Sequence, residues 1–293
     1  MKPRPRILLI GRNGQVGWEL HRCLASAGDV VATDYPEIDL TRADSIRQWV
    51  RETRPQVILN AAAYTAVDKA ESEPDVTLAI NGTAPGILAE EAKRLGAWLI
   101  HYSTDYVYDG SKTEPYVETD PTAPLGTYGR SKLAGDDAAR AVDGRHLIFR
   151  LCWVYGLRGS NFLLTMQRLA REREVLRVVR DQIGAPTWSR LIAESTAWAL
   201  GQVLAAREPE AYVGLYHLAS AGQTSWHGFA EAIVSLLPSE TCKCRSVEAI
   251  TTAEYPTPAR RPAWSVLSCA KLERTFGLRL PPWDEALRLA VTP

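Results

Sequence analysis

The feature that most limits this chain is a rhythm of short apolar runs separated by amphipathic stretches. Arg6-Ile-Leu-Leu-Ile10, Asp29-Val-Val-Ala-Thr33, Gln56-Val-Ile-Leu-Asn60, Ala97-Trp-Leu-Ile-His-Tyr-Ser103 and His146-Leu-Ile-Phe-Arg-Leu151 are short, apolar and bounded by polar residues or glycine. Between them, residues 15–27, 44–54, 74–94 and 126–141 read as helices, with Val16, Leu20 and Leu24 sharing one face of the first. Strands alternating with helices at this spacing make βαβ units, because a parallel strand needs a long crossover to rejoin its sheet. The expected fold is α/β, a Rossmann-type doubly wound parallel sheet over residues 1–150.

After Trp153 the rhythm loosens. Residues 161–174, 188–206 and 226–237 predict helices and Gly214-Leu-Tyr-His-Leu218 predicts a strand. From Cys242 onward prolines are dense, so loops are expected there, with a short helix over residues 269–276 and a last helix from Trp283. Residues 151–293 read as a smaller, mainly substrate-binding region, with parts of 175–220 returning to the first domain.

With 34 Lys+Arg against 34 Asp+Glu the formal charge is zero, which gives no reason to expect nucleic acid or an anionic membrane as partner. No stretch approaches the roughly 20 apolar residues needed to span a bilayer. The basic start, residues 1–6, precedes an apolar run too short for a secretory signal, so a cytoplasmic protein is expected. Cys23, Cys152, Cys242, Cys244 and Cys269 are an odd, scattered set that fits free thiols in a reducing compartment. Cys242-Lys-Cys244 has no second cysteine pair, and no metal site is expected from it.

Gly11-Arg-Asn-Gly14-Gln-Val-Gly17 lies between the first strand and the first helix. Glycine there permits the tight turn and lets backbone N–H groups approach a pyrophosphate, while the helix N-terminus adds partial positive charge. Gly11, Arg12, Gly14, Gln15, Val16 and Gly17 are therefore candidate dinucleotide contacts. Asp34, at the end of the second strand, would accept a hydrogen bond from the adenosine ribose and disfavour a 2′-phosphate, whereas Arg12 would favour one. NADH and NADPH both remain open. The small residues Ala61, Ala62 and Ala63, followed by Tyr64 and Thr65, allow a flat ring to lie against the backbone after the third strand. Asp39 and Leu40 lie toward the adenine side, although a helix cap explains Asp39 equally well.

Tyr128-Gly-Arg-Ser-Lys132 puts a phenol and an ammonium on one helical face. A free phenol titrates near ~10, and a lysine charge beside it lowers that value, making a workable general acid. Ser103-Thr104-Asp105-Tyr106 stands at the carboxyl end of the fourth strand, where open α/β sheets bind ligands. Thr104 is the expected hydroxyl partner of Tyr128; Ser103 is the alternative, but strand alternation allows only one of them to serve.

These residues together resemble the extended short-chain dehydrogenase/reductase superfamily, and within it the reductases of dTDP-linked 4-keto-6-deoxy sugars. The resemblance is carried by Gly14-Gln-Val-Gly-Trp-Glu-Leu20, Asn60-Ala-Ala-Ala-Tyr-Thr-Ala-Val-Asp-Lys-Ala-Glu-Ser-Glu-Pro74, His101-Tyr-Ser-Thr-Asp-Tyr-Val107 and residues 128–135. Phe149-Arg-Leu-Cys-Trp-Val-Tyr155, Asp181-Gln-Ile-Gly-Ala-Pro-Thr187 and Tyr255-Pro-Thr-Pro-Ala-Arg-Arg-Pro262 extend it across nearly the whole chain. It implies reduction of a C4 keto group with hydride from NADH or NADPH. Tyr128 would donate the proton, Lys132 would hold the ribose and tune the phenol, and Thr104 would adjust the transfer. Gly14, Gln15, Val16, Asp34, Asp39, Leu40, Ala63, Tyr64, Thr65 and Tyr102 would touch the cofactor. Thr104, Asp105, Tyr106 and Trp153 would meet the sugar, and Arg260 or Arg261 its diphosphate.

Some members of the group are held as dimers by Mg²⁺ between carboxylates. Glu19 fits the first such position, but Arg190 stands where a second acid is expected, so the resemblance implies no structural Mg²⁺ here and leaves monomer and homodimer open. Two rivals stand beside the reductase. An epimerase or dehydratase of the same superfamily would retain its nicotinamide through each turnover. A non-catalytic regulatory subunit would not need the set Thr104, Tyr128 and Lys132.

Overall fold

Strand alternation decides the layers. The computed structural model describes residues 4–292; residues 1–3 of the basic start, and Pro293, lie outside the described residues. Six parallel strands form the sheet: β1 (Arg6–Ile10), β2 (Asp29–Thr33), β3 (Val57–Asn60), β4 (Trp98–Thr104), β5 (His146–Leu151) and β6 (Gly214–Leu218). Their order across the sheet is β6-β5-β4-β3-β1-β2. Ile7 and Leu9 of β1 face one way with Val57, Leu59, Ile100, Phe149 and Leu218, and there they meet helix α1 (Gln15–Cys23) and the helix Ser189–Ala205. Leu8 and Ile10 face the other way with Ile58, Leu99 and Ile148. That side is covered by α2 (Ala43–Thr53), α3 (Ala84–Leu95) and α4 (Thr127–Ala141). Strands buried on both faces must read as continuous apolar runs, which is why they stand out in the sequence.

The expected helix over residues 74–94 is interrupted. Pro74–Leu78 and α3 are joined by a π turn, Ala79–Thr83. Such a turn adds a residue and re-aims side chains, often beside functional sites. Here it aims Asn81 at the segment after β3. Its side-chain oxygen accepts from Tyr64 N–H at 2.9 Å, and its amide donates to the Tyr64 carbonyl at 3.0 Å and to Ser131 Oγ at 3.1 Å.

A smaller apolar core lies apart from the sheet, where Leu163, Met166 and Ala170 of the helix Phe162–Glu172 pack with Phe229, Ile233 and Leu287. The expectation of loops beyond Cys242 fails at Ser246–Ile250, a strand paired in parallel with Val175–Val179. Ser246–Ile250 is mostly exposed, so it carries no apolar run by which to find it. The helices Ala270–Phe276 and Trp283–Val291 follow as expected. All five cysteines are free. Among the described residues no helix is long and apolar enough to cross a membrane.

Candidate active site

The chain turns direction between β1 and β3, and at the carboxyl ends of these strands a cavity of about 590 Å³ opens. Such switch points are where open α/β sheets hold ligands. Gly11 takes φ +88°, and a Cβ on it would lie 2.6 Å from Ala62 N; one on Gly17 would lie 2.0 Å from Gly11 O. Both must be glycine for turn, helix and β3 to pack this closely. Above Gly14 there is room, since a Cβ there would meet nothing nearer than Gly11 O at 3.4 Å. The first turn of α1 has no side-chain cap, so its N–H groups are left for a ligand. Gly11, Gly14, Gln15, Val16, Asp34, Ala61, Ala62, Ala63 and Thr65 line this end of the cavity, together with Asn13. A backbone cradle, a free helix N-terminus and a stretch of small residues fit a nicotinamide dinucleotide.

Five expected cofactor contacts do not line the cavity. Gly17 is buried behind the turn. Arg12 is turned away, donating to Glu37 at 2.7 and 2.8 Å and to the Ala32 carbonyl at 2.7 Å. Asp39 accepts from both the amide and the hydroxyl of Thr41, at 2.9 and 2.7 Å, so it shapes its own turn. Leu40 is buried in the core on the α2 side of the sheet. Tyr64 directs its hydroxyl to Glu73.

The other end of the cavity is made of side chains. Tyr102, Ser103, Thr104, Asp105, Tyr106, Tyr128, Lys132 and Trp153 all line it. Alternation along β4 gives the two candidate hydroxyls different partners: Ser103 donates to Asp136 Oδ2 on α4 at 2.8 Å, while Thr104 donates to Asp105 Oδ1 at 3.1 Å and, turned instead to Tyr128, favours its phenolate form. Tyr106 meets Tyr128 edge-on, ring centroids 5.9 Å apart. Lys132, only 1% exposed, donates to the Tyr102 carbonyl at 2.6 Å and to His101 Nε2 at 3.3 Å.

The electrostatics correct one expectation. Burial pushes the Tyr128 phenol up to about 12, and Lys132 is not among the groups that pull it down. The ammonium faces the backbone of β4, where burial lowers it to about 8 against the charge of Asp136, which raises it. Desolvation therefore outweighs the ion–phenol attraction that spacing alone suggests. The carboxyl of Asp105 is raised to about 6, again by burial, with hydrogen bonds from Ser265, Cys152 and Thr104 opposing. Asp136 is also pushed up by burial, with Arg150 and Lys132 holding it down.

Trp153 adopts φ +43°, a strained conformation for a bulky residue. In this conformation its indole lies flat on Trp226, centroids 3.6 Å apart, with Gly184 packed so closely that a Cβ there would lie 2.5 Å from the ring. Trp226 also lines the cavity, and nothing in its local sequence marks it. Asn161 was likewise missed; it caps the helix Phe162–Glu172 and donates to Gln15 Oε1 at 2.9 Å, joining the second region to the glycine turn. Arg261 is not brought to the cavity. It pairs with Asp68 at 2.8 Å and donates to Thr257 Oγ1 and the Ala259 carbonyl, whereas Arg260 borders a small side pocket beside Tyr128.

The segment 66–74 explains itself here. Asp68 holds Arg261, and Glu71 accepts from the Thr127 amide and hydroxyl at 2.7 and 2.9 Å, at the first turn of the helix that presents Tyr128. Among the described residues, no group of three or more His, Cys, Asp or Glu side chains is placed to hold a metal ion. Arg190 pairs with Glu194 at 2.9 Å.

A Rossmann-type sheet, a glycine turn at its switch point and a Thr-Tyr-Lys set across the cavity define the short-chain dehydrogenase/reductase class. The RmlD substrate binding domain family matches residues 5–293, and the chain belongs to it. It is 51% identical over 291 residues to a dTDP-4-dehydrorhamnose reductase of Burkholderia thailandensis, covering 98% of each chain. The same-named protein of Escherichia coli K12 is 46% identical, over 96% of this chain and 95% of its own. Among solved structures, a dTDP-4-dehydrorhamnose reductase from Bacillus anthracis in complex with NADP superposes with TM-score 0.90 at 34% identity, over 98% of both chains. A UDP-glucose 4-epimerase of Thermus thermophilus reaches TM-score 0.79 at 20% identity over 98% of this chain and 97% of its own, a likeness of fold alone.

Proposed function

We propose that this protein reduces the C4 keto group of dTDP-6-deoxy-L-lyxo-4-hexulose (dTDP-4-dehydro-L-rhamnose) to dTDP-L-rhamnose. The observation that carries the reading is the meeting of Thr104, Tyr128 and Lys132 in one cavity with the glycine turn, in a chain 51% identical to a reductase of that name. Bound NADH or NADPH supplies the hydride. Gly11, Gly14, Gln15 and Val16 would hold its pyrophosphate, Ala61 to Ala63 and Thr65 its flat face, and Lys132 the nearby ribose. Tyr128 donates its phenolic proton to the C4 oxygen as charge develops there, and Thr104 steadies the phenolate left behind. With its ordinary value displaced to about 12, the phenol is fully protonated at neutrality and acts as an acid rather than a base. Asp105 and Tyr106 orient the sugar hydroxyls, and the stacked Trp153 and Trp226 form the apolar wall. Residues 1–150, rejoined by the helix Ser189–Ala205 and β6, form the cofactor-holding domain, and the rest of 151–293 serves mainly the sugar nucleotide, which Thr104, Asp105, Tyr106 and Tyr128 meet from the first domain. The cytoplasm, where reduced nicotinamide nucleotides are maintained, is the compartment this chemistry requires.

The test is an NADH and NADPH oxidation assay with the keto sugar generated in situ. Stoichiometric loss of 340 nm absorbance is expected. Turnover with a permanently retained nicotinamide and no net oxidation would mean an epimerase instead, and no turnover with an intact fold would mean a binding subunit.

A further inference from the structure

Asp34 just after β2 and Arg12 in the glycine turn carry opposite charges on the adenosine side of the cleft, and Glu37 stands beside them. Asp34 borders the cavity, and its carboxylate accepts from the amides of Asn13 and Tyr35, both at 2.8 Å, so it is fixed where an adenosine ribose would come. A carboxylate there accepts from a ribose 2′-hydroxyl and repels a 2′-phosphate. The only cation within the glycine turn is Arg12. Its guanidinium is gripped from two sides by Glu37, through separate nitrogens at 2.7 and 2.8 Å, and one of those nitrogens also donates to the Ala32 carbonyl. Glu37 is itself held: Thr33 donates to its carboxylate at 3.1 Å, and the Trp49 indole donates to its backbone carbonyl at 2.7 Å. The bidentate pair both neutralises Arg12 and draws it off the cavity wall.

We infer that Glu37 sets the coenzyme preference, keeping Arg12 from a 2′-phosphate so that NADH is favoured over NADPH. The inference rests on the dinucleotide reading above. Glu37 lies outside every residue assigned to the chemistry, and it is exposed, so its replacement leaves the packed core alone. Removing its charge without changing its shape releases Arg12 for the phosphate and leaves Asp34 for the ribose.

The experiment is titration of the full-length protein with NADH alone and NADPH alone, without sugar, followed by calorimetry or tryptophan fluorescence. The unaltered protein should bind NADH more tightly than NADPH. In Glu37→Gln the NADPH dissociation constant should fall about three- to fivefold, the scale of one exposed charge pair redirected to a new partner, with NADH changing less than twofold. In the Arg12→Ala, Glu37→Gln double variant that gain should vanish. An NADPH constant unmoved by Glu37→Gln, an equal gain for NADH, or a gain that survives without Arg12 would each overturn the inference while leaving the cofactor site intact. Failure of the unaltered protein to bind either coenzyme would overturn the dinucleotide reading, and this inference with it.

Discussion

The two walls of the cavity are made of different material. On the glycine-turn side the surface is largely backbone and small side chains, Gly11, Gly14 and Ala61 to Ala63, with their shape fixed by packing. On the opposite side it is made of large titratable and aromatic side chains, Lys132, Asp105 and Trp153 buried and Tyr106, Tyr128 and Trp226 half-buried. A backbone wall recognises by shape and by N–H direction, and Asp34 at its edge is the one acid among the residues named on it. A side-chain wall can exchange protons, and burial moves each of its groups off its ordinary titration range. Changes to the first wall should therefore appear in cofactor affinity, and changes to the second in turnover and its pH dependence.

The largest effect should follow Tyr128→Phe, which keeps the ring and removes the proton. Turnover should fall by roughly 10²–10⁴-fold, with the NADH dissociation constant nearly unchanged in a fluorescence titration; a large loss of affinity would blur the division between the walls. Next comes Gly11→Ala. The added methyl meets Ala62 N at 2.6 Å in a backbone conformation at φ +88°, so cofactor affinity should drop by more than about tenfold, the left-handed strain alone amounting to ~1–2 kcal/mol. Turnover at saturating coenzyme should change less than affinity does.

The pH profile sharpens the comparison further. Asp105, raised to about 6 by burial, is ionised above that value and able to accept from sugar hydroxyls. Lys132, lowered to about 8 by burial, loses its charge above that value. The free-enzyme kcat/KM should thus rise through about pH 6 and fall through about pH 8. Asp105→Asn should abolish the acid limb and spare the alkaline one. The smallest effect is expected from Trp226→Ala, which removes the face that supports Trp153. Aromatic stacking of this kind is worth ~0.5–1.5 kcal/mol, so KM for the sugar nucleotide should rise by severalfold, measured at fixed coenzyme.

The sheet and the glycine turn were legible because they depend on local pattern: short apolar runs, glycine after a strand, and helical spacing between Tyr128 and Lys132. Those features fix where the backbone goes. They do not fix where a long side chain finds its partner. Arg12 and Arg261 each stand near the expected place in the chain, yet one is held by Glu37 and the other by Asp68, a residue far away in sequence. Tyr64 likewise rotates onto Glu73. Trp226 and Asn161 reach the cavity only through the packing of the second region, so no short motif marks them. The phenol's titration was misjudged for a related reason. Spacing shows that two groups share a helical face, but not that the lysine is buried against the β4 carbonyl row, where desolvation governs both.

One short turn of chain has a mechanical consequence. Asp68 fastens the proline-rich loop through Arg261, and Glu71, three positions along, clasps the leading end of α4 through Thr127. The proline-rich loop and the helix bearing the reactive hydroxyl are thus fastened to a common pin. The position of the outer loop and the seat of the acid are therefore tied to the same three-residue step of chain.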